Sequence, residues 1–375
     1  MTDNPANPAR GVARWPTGSF GMLVLVAVIE LILAGRHLDF TTVTADDWRR
    51  TGEAASTKAL GRDVLCFGDS LVKFGVLPRV IEAKTGLKAF NLAINAGPMP
   101  AEYFLLRRAL DAGAKPKAIV ADFFALMLPD QPRVAIRVYP ELASLRDCLD
   151  LAQTTRDADL VTAILLGKLL PSVRARFEIR ASVAAAFDGR RASPWPASRQ
   201  IWTAWKEQLG AQPMPAARGR PDENPALVGN LTPDHWTLDP INADYFERFV
   251  ALAESRQIPV FWIMPPLGPE VRAGRATWGT DAAYGEFARQ AQTRFPNLIV
   301  LDARNSGYNG STHIDPIHLN VGGATVLSGD IALAVANHLN QRISARWTSL
   351  PLYPGGTTIK APTAVAVGAS VGSAR

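Results

Sequence analysis

The chain holds only two cysteines, Cys66 and Cys148, and five histidines in 375 residues. Two cysteines cannot make a disulfide framework, and without a Cys-x-x-Cys pair they carry no zinc or dithiol signal, so both read as small hydrophobes. Aromatic residues make up 8% of the chain, and no run of Lys and Arg is interleaved with them. The net charge of +6 therefore marks no nucleic-acid surface, and nucleic-acid binding is not expected. No internal repeat is present. His235 with Asp239 is the nearest thing to a second ligand pair and reads as loop contacts, so no metal, nucleotide or other cofactor is expected.

What is abundant is apolar sequence: 47% of the residues are hydrophobic, enough for a substantial core. One apolar run stands apart, from Phe20 to Ile29, interrupted by Glu30 and resumed from Leu31 to Gly35. A bilayer span needs roughly 17 to 25 residues, which puts this run near the short end. A deeply placed Glu30 adds ~2.5 kcal/mol or more. The run reads as a retained transmembrane anchor, with a signal cleaved near Ala34 or a buried core helix as alternatives. Arg10 and Arg14 ahead of it favour a cytoplasmic N-terminus and an exported remainder, and Arg36 beyond it weakens that bias. The expected localisation is the membrane, single-pass, with the main domain periplasmic or extracytoplasmic; after cleavage it would be secreted.

From Asp63 onward short apolar runs alternate with amphipathic stretches, the pattern of a parallel sheet covered on both faces. Strands are expected over 64–67, 89–94, 118–123, 259–263 and 298–302, and helices over 46–55, 77–85, 101–112, 243–255, 281–294 and 322–339. Gly86 and Gly113 fall where helices should stop. The fold class is α/β, a doubly wound, flavodoxin-like parallel sheet of about five strands with an N-terminal membrane helix. Roughly 130 residues separate the third and fourth strands, too many for a crossover, so an insertion lies there. Its first part, 142–186, reads as helical. Its second part, 193–240, is rich in proline and carries Trp195, Trp202, Trp205 and Trp236; it reads as irregular loops whose tryptophans pack onto the sheet, or else line a sugar- or acyl-binding lid. The expected division is a cytoplasmic N-terminus over 1–17, an anchor or signal over 18–35, a connector over 36–62, a main domain over 63–347 with its insertion over 129–240, and a disordered tail over 348–375.

Two motifs carry chemistry. Gly68-Asp69-Ser70-Leu71 follows directly on the first strand, which puts Ser70 at a strand's C-terminal end, where open α/β sheets bind ligands. By itself such a turn is as well explained by Asp and Ser capping local amides. The second motif is Asp315-Pro316-Ile317-His318, just before the last helix. An Asp three residues before a His on a loop can accept a hydrogen bond from Nδ1 and leave Nε2 free to take a serine proton. His313 is a rival for His318, and Asp69 reads as a backbone partner rather than a reacting group.

Together these blocks resemble the GDSL/SGNH hydrolase family, over roughly residues 63–340. The resemblance implies a triad of Ser70, Asp315 and His318, and an oxyanion hole built from the Ser70 amide and a second-block glycine amide; here Asn95-Ala96-Gly97 supplies that glycine as Gly97 with a one-residue shift from the family pattern. Segments such as Phe90-Asn91-Leu92-Ala93-Ile94, Tyr103-Phe104-Leu105-Leu106 and Lys115-Pro116-Lys117 are similar to membrane-anchored bacterial members linked to acylation or deacylation of cell-surface polymers. The chain departs from the family in its third block. Where the family has Gly-x-Asn-Asp, it reads Ala121-Asp122-Phe123-Phe124-Ala125, so the side-chain oxyanion donor is missing, a loss of about 10²- to 10³-fold in rate unless another group substitutes. Asn95 is the candidate substitute; otherwise it is a turn residue.

The function these residues imply is a membrane-anchored serine esterase, or an O-acyltransferase if a carbohydrate hydroxyl replaces water. Its partners would be an ester-bearing small molecule or polysaccharide, the membrane, and an envelope polysaccharide machinery. The competing expectation is a non-catalytic scaffold of such a machinery that keeps the fold without the chemistry; a purely structural membrane protein is the weakest option.

Overall fold

The computed structural model describes residues 17–35, 42–189, 195–215, 236–340 and 345–354. Six strands form one parallel sheet: β1 (Val64–Phe67), β2 (Ala89–Asn91), β3 (Ala118–Ala121), β4 (Val260–Met264), β5 (Leu298–Asp302) and β6 (Trp347–Ser349). Their order is β2-β1-β3-β4-β5-β6, with Phe67 opposite Ala121 and Trp262 opposite Val300. Strands β1, β3 and β4 are continuous apolar runs because both of their faces are buried. Alternate residues serve opposite layers. Leu65, Phe67, Ile119, Ala121, Val260 and Trp262 enter one core, while Val64, Cys66, Ala118, Val120, Phe261 and Ile263 enter the other.

The helices, in chain order, are α1 (Thr17–Gly35), α2 (Val43–Thr57), α3 (Ser70–Gly75), α4 (Pro78–Thr85), α5 (Met99–Asp111), α6 (Tyr139–Leu142), α7 (Leu145–Thr155), α8 (Ala158–Leu169), α9 (Pro171–Arg174), α10 (Arg176–Phe187), α11 (Trp195–Glu207), α12 (Pro240–Ser255), α13 (Pro269–Thr277), α14 (Thr280–Arg294) and α15 (Val321–Leu339). The first core is closed by α2, α5, α12 and α14, through Trp48, Phe104, Phe249 and Ala288 among others. The second is closed by α3, α4 and α15, through Val72, Ile81 and Leu327. Gly86 ends α4 in the left-handed conformation at φ 73°, as its position suggested.

Three features depart from the reading of the sequence. Thr348 and Ser349, assigned to a disordered tail, belong to edge strand β6, and Leu350 behind it is buried. That strand is three residues long, too short for periodicity to reveal. Residues 195–207, expected to be irregular, are the helix α11. Pro196 falls in its first turn, where proline is tolerated, and Trp202 and Trp205, three apart, both enter the first core. The connector is no mere spacer either: its helix α2 is packed into the domain, with Trp48 fully buried. His235 lies outside the described residues; Asp239 caps α12 by accepting from the Ile241 and Asn242 amides.

The described residues divide into two compact units, one joining α1 to the stretch that begins at Leu166, the other holding the sheet and everything else. In the smaller unit α1 exposes much of its apolar surface, including Phe20, Leu23 and Leu31. Both Glu30 carboxylate oxygens are engaged by Ser172, one by its backbone amide at 3.0 Å and the other by its hydroxyl. Among the described residues no helix is long and apolar enough to cross a membrane.

Candidate active site

Ser70 is the first residue of α3, directly beyond β1. The turn that delivers it depends on Gly68, whose φ of 138° is unfavourable for other residues. A Cβ there would meet Val72 Cγ2 at 2.8 Å. Asp69 caps α3, its carboxylate accepting from the Leu71 amide at 2.8 Å, so its role is local, as its place in the turn suggested. Asn91, at the end of β2, holds the far end of α3: its amide group donates to the Val72 and Val76 carbonyls, both at 2.9 Å.

The second motif reaches the same point from the other end of the chain. His313 and Leu319 pair in an antiparallel bridge, and the Ile314 amide donates to the His318 carbonyl, so residues 313–319 form a tight loop. Asn320 closes it by capping α15 and donating to the Ser311 carbonyl. Gly268 supports its tip: the Gly268 amide donates to the Pro316 carbonyl at 2.8 Å, an approach any Cβ would block.

The loop sets His318 Nε2 2.8 Å from Ser70 Oγ and His318 Nδ1 2.6 Å from Asp315 Oδ2. The other Asp315 oxygen accepts from the Ile317 and His318 amides at 2.9 and 2.8 Å, so the carboxylate is oriented from both sides. Phe74 packs edge-on against the imidazole, ring centres 5.1 Å apart. The His318 and Asp315 side chains retain 17% and 31% exposure, so the relay is open to solvent. Burial alone would raise the Asp315 carboxyl. The hydrogen bond from His318, its charge, and the two loop amides outweigh that effect and hold it below the usual range. The rival His313 is turned elsewhere: its Nδ1 faces the Asn309 carbonyl at 2.9 Å and its Nε2 is buried without a partner.

The candidate oxyanion residues lie in the turn after β2, where Ala96 takes a positive φ of 53° and Gly97 is buried. The Asn95 amide donates to Asp47 Oδ2 at 3.0 Å, and its carbonyl accepts from Trp48 Nε1 at 2.9 Å. Its main chain is therefore fully used, leaving only the side chain as a donor. The same Asp47 grips α3, the helix that begins with Ser70. Its other oxygen lies 2.7 Å from Lys73 Nζ, both side chains having no exposure, and Lys73 also donates to the Ala93 carbonyl at 2.6 Å and Thr51 Oγ1 at 3.3 Å. Helix α2 thus ties together the serine's helix and the Asn95 turn. Sequence reasoning missed this brace: a lone Lys three residues after the serine does not reveal a partner 26 positions earlier.

It also missed a group of buried acids behind the turn that carries Ser70. Burial pushes the Asp69 carboxyl up to about 6, against the pull of the Leu71 amide and His318. Burial and the nearby Asp69 carboxyl hold Asp122 well above the carboxylate range, and Glu102 is raised likewise by burial, Asp69 and Asp122. Both Asp122 oxygens and Glu102 Oε2 are buried without a hydrogen-bond partner. Asp122, which directly follows β3, sits against the Gly68 turn, its Cβ 3.3 Å from where a Cβ on Gly68 would stand. Among the described residues no cluster of His, Cys, Asp or Glu is arranged to hold a metal ion. No protein-family model matches this chain, and neither does any curated protein.

Proposed function

We propose that the chain is a membrane-tethered serine esterase or O-acyltransferase of the SGNH type, acting on ester-linked acyl groups of cell-envelope polysaccharide. The observation that carries the proposal is the continuous relay from Ser70 Oγ to His318 Nε2 and from His318 Nδ1 to Asp315. Ser70 Oγ attacks the acyl carbonyl as His318 takes its proton; the imidazolium, steadied by Asp315, then protonates the departing alkoxide oxygen. An acyl-serine ester results. Water, or a sugar hydroxyl, attacks this ester with His318 again accepting a proton, and Ser70 leaves with the proton returned. The Ser70 and Gly97 amides, with the Asn95 side chain, are the proposed oxyanion donors. The proposed tether is α1, whose exposed apolar side chains suit a bilayer, and the sheet-bearing unit is proposed to work outside the cytoplasm.

One observation favours the scaffold reading instead: Asp122 stands directly after β3, in the block where the resembling family supplies an Asn donor, and it is buried. Acetyl release from an aryl acetate and from an acetylated polysaccharide, by the wild-type chain and by Ser70→Ala, separates the readings. Release that requires Ser70 supports the esterase, and acetyl transfer to an added oligosaccharide supports the transferase. Equal release by both chains supports the scaffold.

A further inference from the structure

In the unit formed by α1 and the stretch from Leu166, helix α10 has no buried residue. Yet it carries Phe177, Val183 and Phe187, which are 44%, 52% and 88% exposed. A helix of 12 residues is marginal in water on its own propensity, and helices in proteins are normally held by burying one face. Arg176, Arg180, Val183 and Phe187 follow at i, i+4, i+7 and i+11 and so form one stripe. The Arg176 guanidinium also lies over the Phe177 ring, 4.6 Å from its centre. A stripe mixing apolar side chains with long cationic ones does not suit a dry core. It suits the boundary of a bilayer, where apolar groups sink to the acyl region and guanidinium groups snorkel to the phosphates.

The bond between Glu30 and Ser172 is an independent observation. A carboxylate in an apolar helix is costly unless paired, and here both of its oxygens are used by the first turn of α9, which leads within a few residues into α10. The start of α10 is thereby fastened to α1, so a bilayer that takes up α1 meets α10 as well. Over residues 168–191 the basic Lys168, Arg174, Arg176, Arg180, Arg190 and Arg191 outnumber the acidic Glu178 and Asp188, which favours anionic headgroups.

We propose that α10 is an interfacial helix that lies on the anionic surface of the bilayer entered by α1, held there by Phe187, Val183 and its arginines. The inference rests on the tether put forward above. The test uses the full chain carrying Phe187→Cys, labelled with bimane and reconstituted into vesicles of equal parts phosphatidylglycerol and phosphatidylcholine. Cys66 and Cys148 are buried and serve as silent background. Trp278→Cys, at a position 55% exposed in the sheet-bearing unit, is the aqueous control.

The expected result is that the label at 187 is quenched by shallow nitroxide lipids and is about threefold or more less open to iodide than the control. The double charge reversal Arg176→Glu with Arg180→Glu should abolish that lipid quenching in protein that still floats with vesicles. A floating protein whose label at 187 is as open to iodide as the control overturns the inference and leaves the tether standing. Shielding from iodide without lipid quenching also overturns it, because another protein or a second copy then covers α10. A chain that fails to float overturns the tether and this inference together.

Discussion

Each side chain of the relay has a separate demand placed on it. In the proposed mechanism Ser70 must be presented, His318 must hold one tautomer, and Asp315 must stay ionised. Asp315→Asn keeps the shape but lets the amide face Nδ1 with a donor; serine reactivity is expected to fall by about 10⁴-fold with little change in melting temperature, measured by inactivation kinetics and thermal unfolding. The folded-state value of Asp315 is depressed, so its contribution to stability is present above the ordinary 3.8 and lost as pH falls through the lower folded value. Asp69 has the opposite sign. Its carboxyl rises from 3.8 to about 6, so the folded chain loses stability as pH climbs between those values, on the order of 3 kcal/mol for a shift of this size. Asp69→Asn, which can still cap α3, should therefore be more stable than the wild type at pH 8 and equal to it near pH 4 in denaturant titrations. The meeting of Ser70, His318 and Asp315 was legible in the sequence because Gly-Asp-Ser after a strand and Asp-x-x-His before a helix each encode their own local geometry. Asp122 and Glu102 were not: nothing in their neighbourhoods signals that the fold buries them without partners.

At the scale of elements, the site is held by pieces far apart in the chain. Helix α2 grips both the Ser70 helix and the Asn95 turn through Asp47, Trp48 and Thr51. Because Lys73 and Asp47 have no exposure, removing one charge strands the other. Asp47→Leu or Lys73→Met alone should cost about 3 to 5 kcal/mol, and the two together should recover most of that loss in chemical denaturation, since an apolar pair of similar volume replaces a buried ion pair at little cost. Failure of the double variant to recover would mean that the Asn95 and Ala93 bonds, not the ion pair, carry the brace. A second joint is Gly210, where φ is 93° and an added Cβ would stand 2.1 Å from the Asn91 carbonyl oxygen. Gly210→Ala should destabilise by about 2 kcal/mol or more, because the backbone of the insertion must withdraw from β2. The central strands and their helices were readable because apolar runs and 3.6-residue spacing are local signals. The role of α2 was hidden because its composition is polar and its partners lie beyond β1, and α11 was hidden by its proline-rich surroundings.

At the scale of the molecule, strand order and site position belong together. The sheet order runs outward from β1, with β2 on one side and β3 on the other, so the loop after β1 leaves at the point where the winding reverses, the customary place for a ligand in such sheets. Ser70 stands where that loop enters α3, and the 248 positions that separate it from His318 are bridged by the sheet itself. The most direct test of the relay is reaction of the purified full chain with a fluorophosphonate probe, with the modified residue located by mass spectrometry. The account predicts a single adduct on Ser70, absent from both Ser70→Ala and His318→Ala. A folded wild-type chain that takes up no probe, or takes it up equally after His318→Ala, would contradict it.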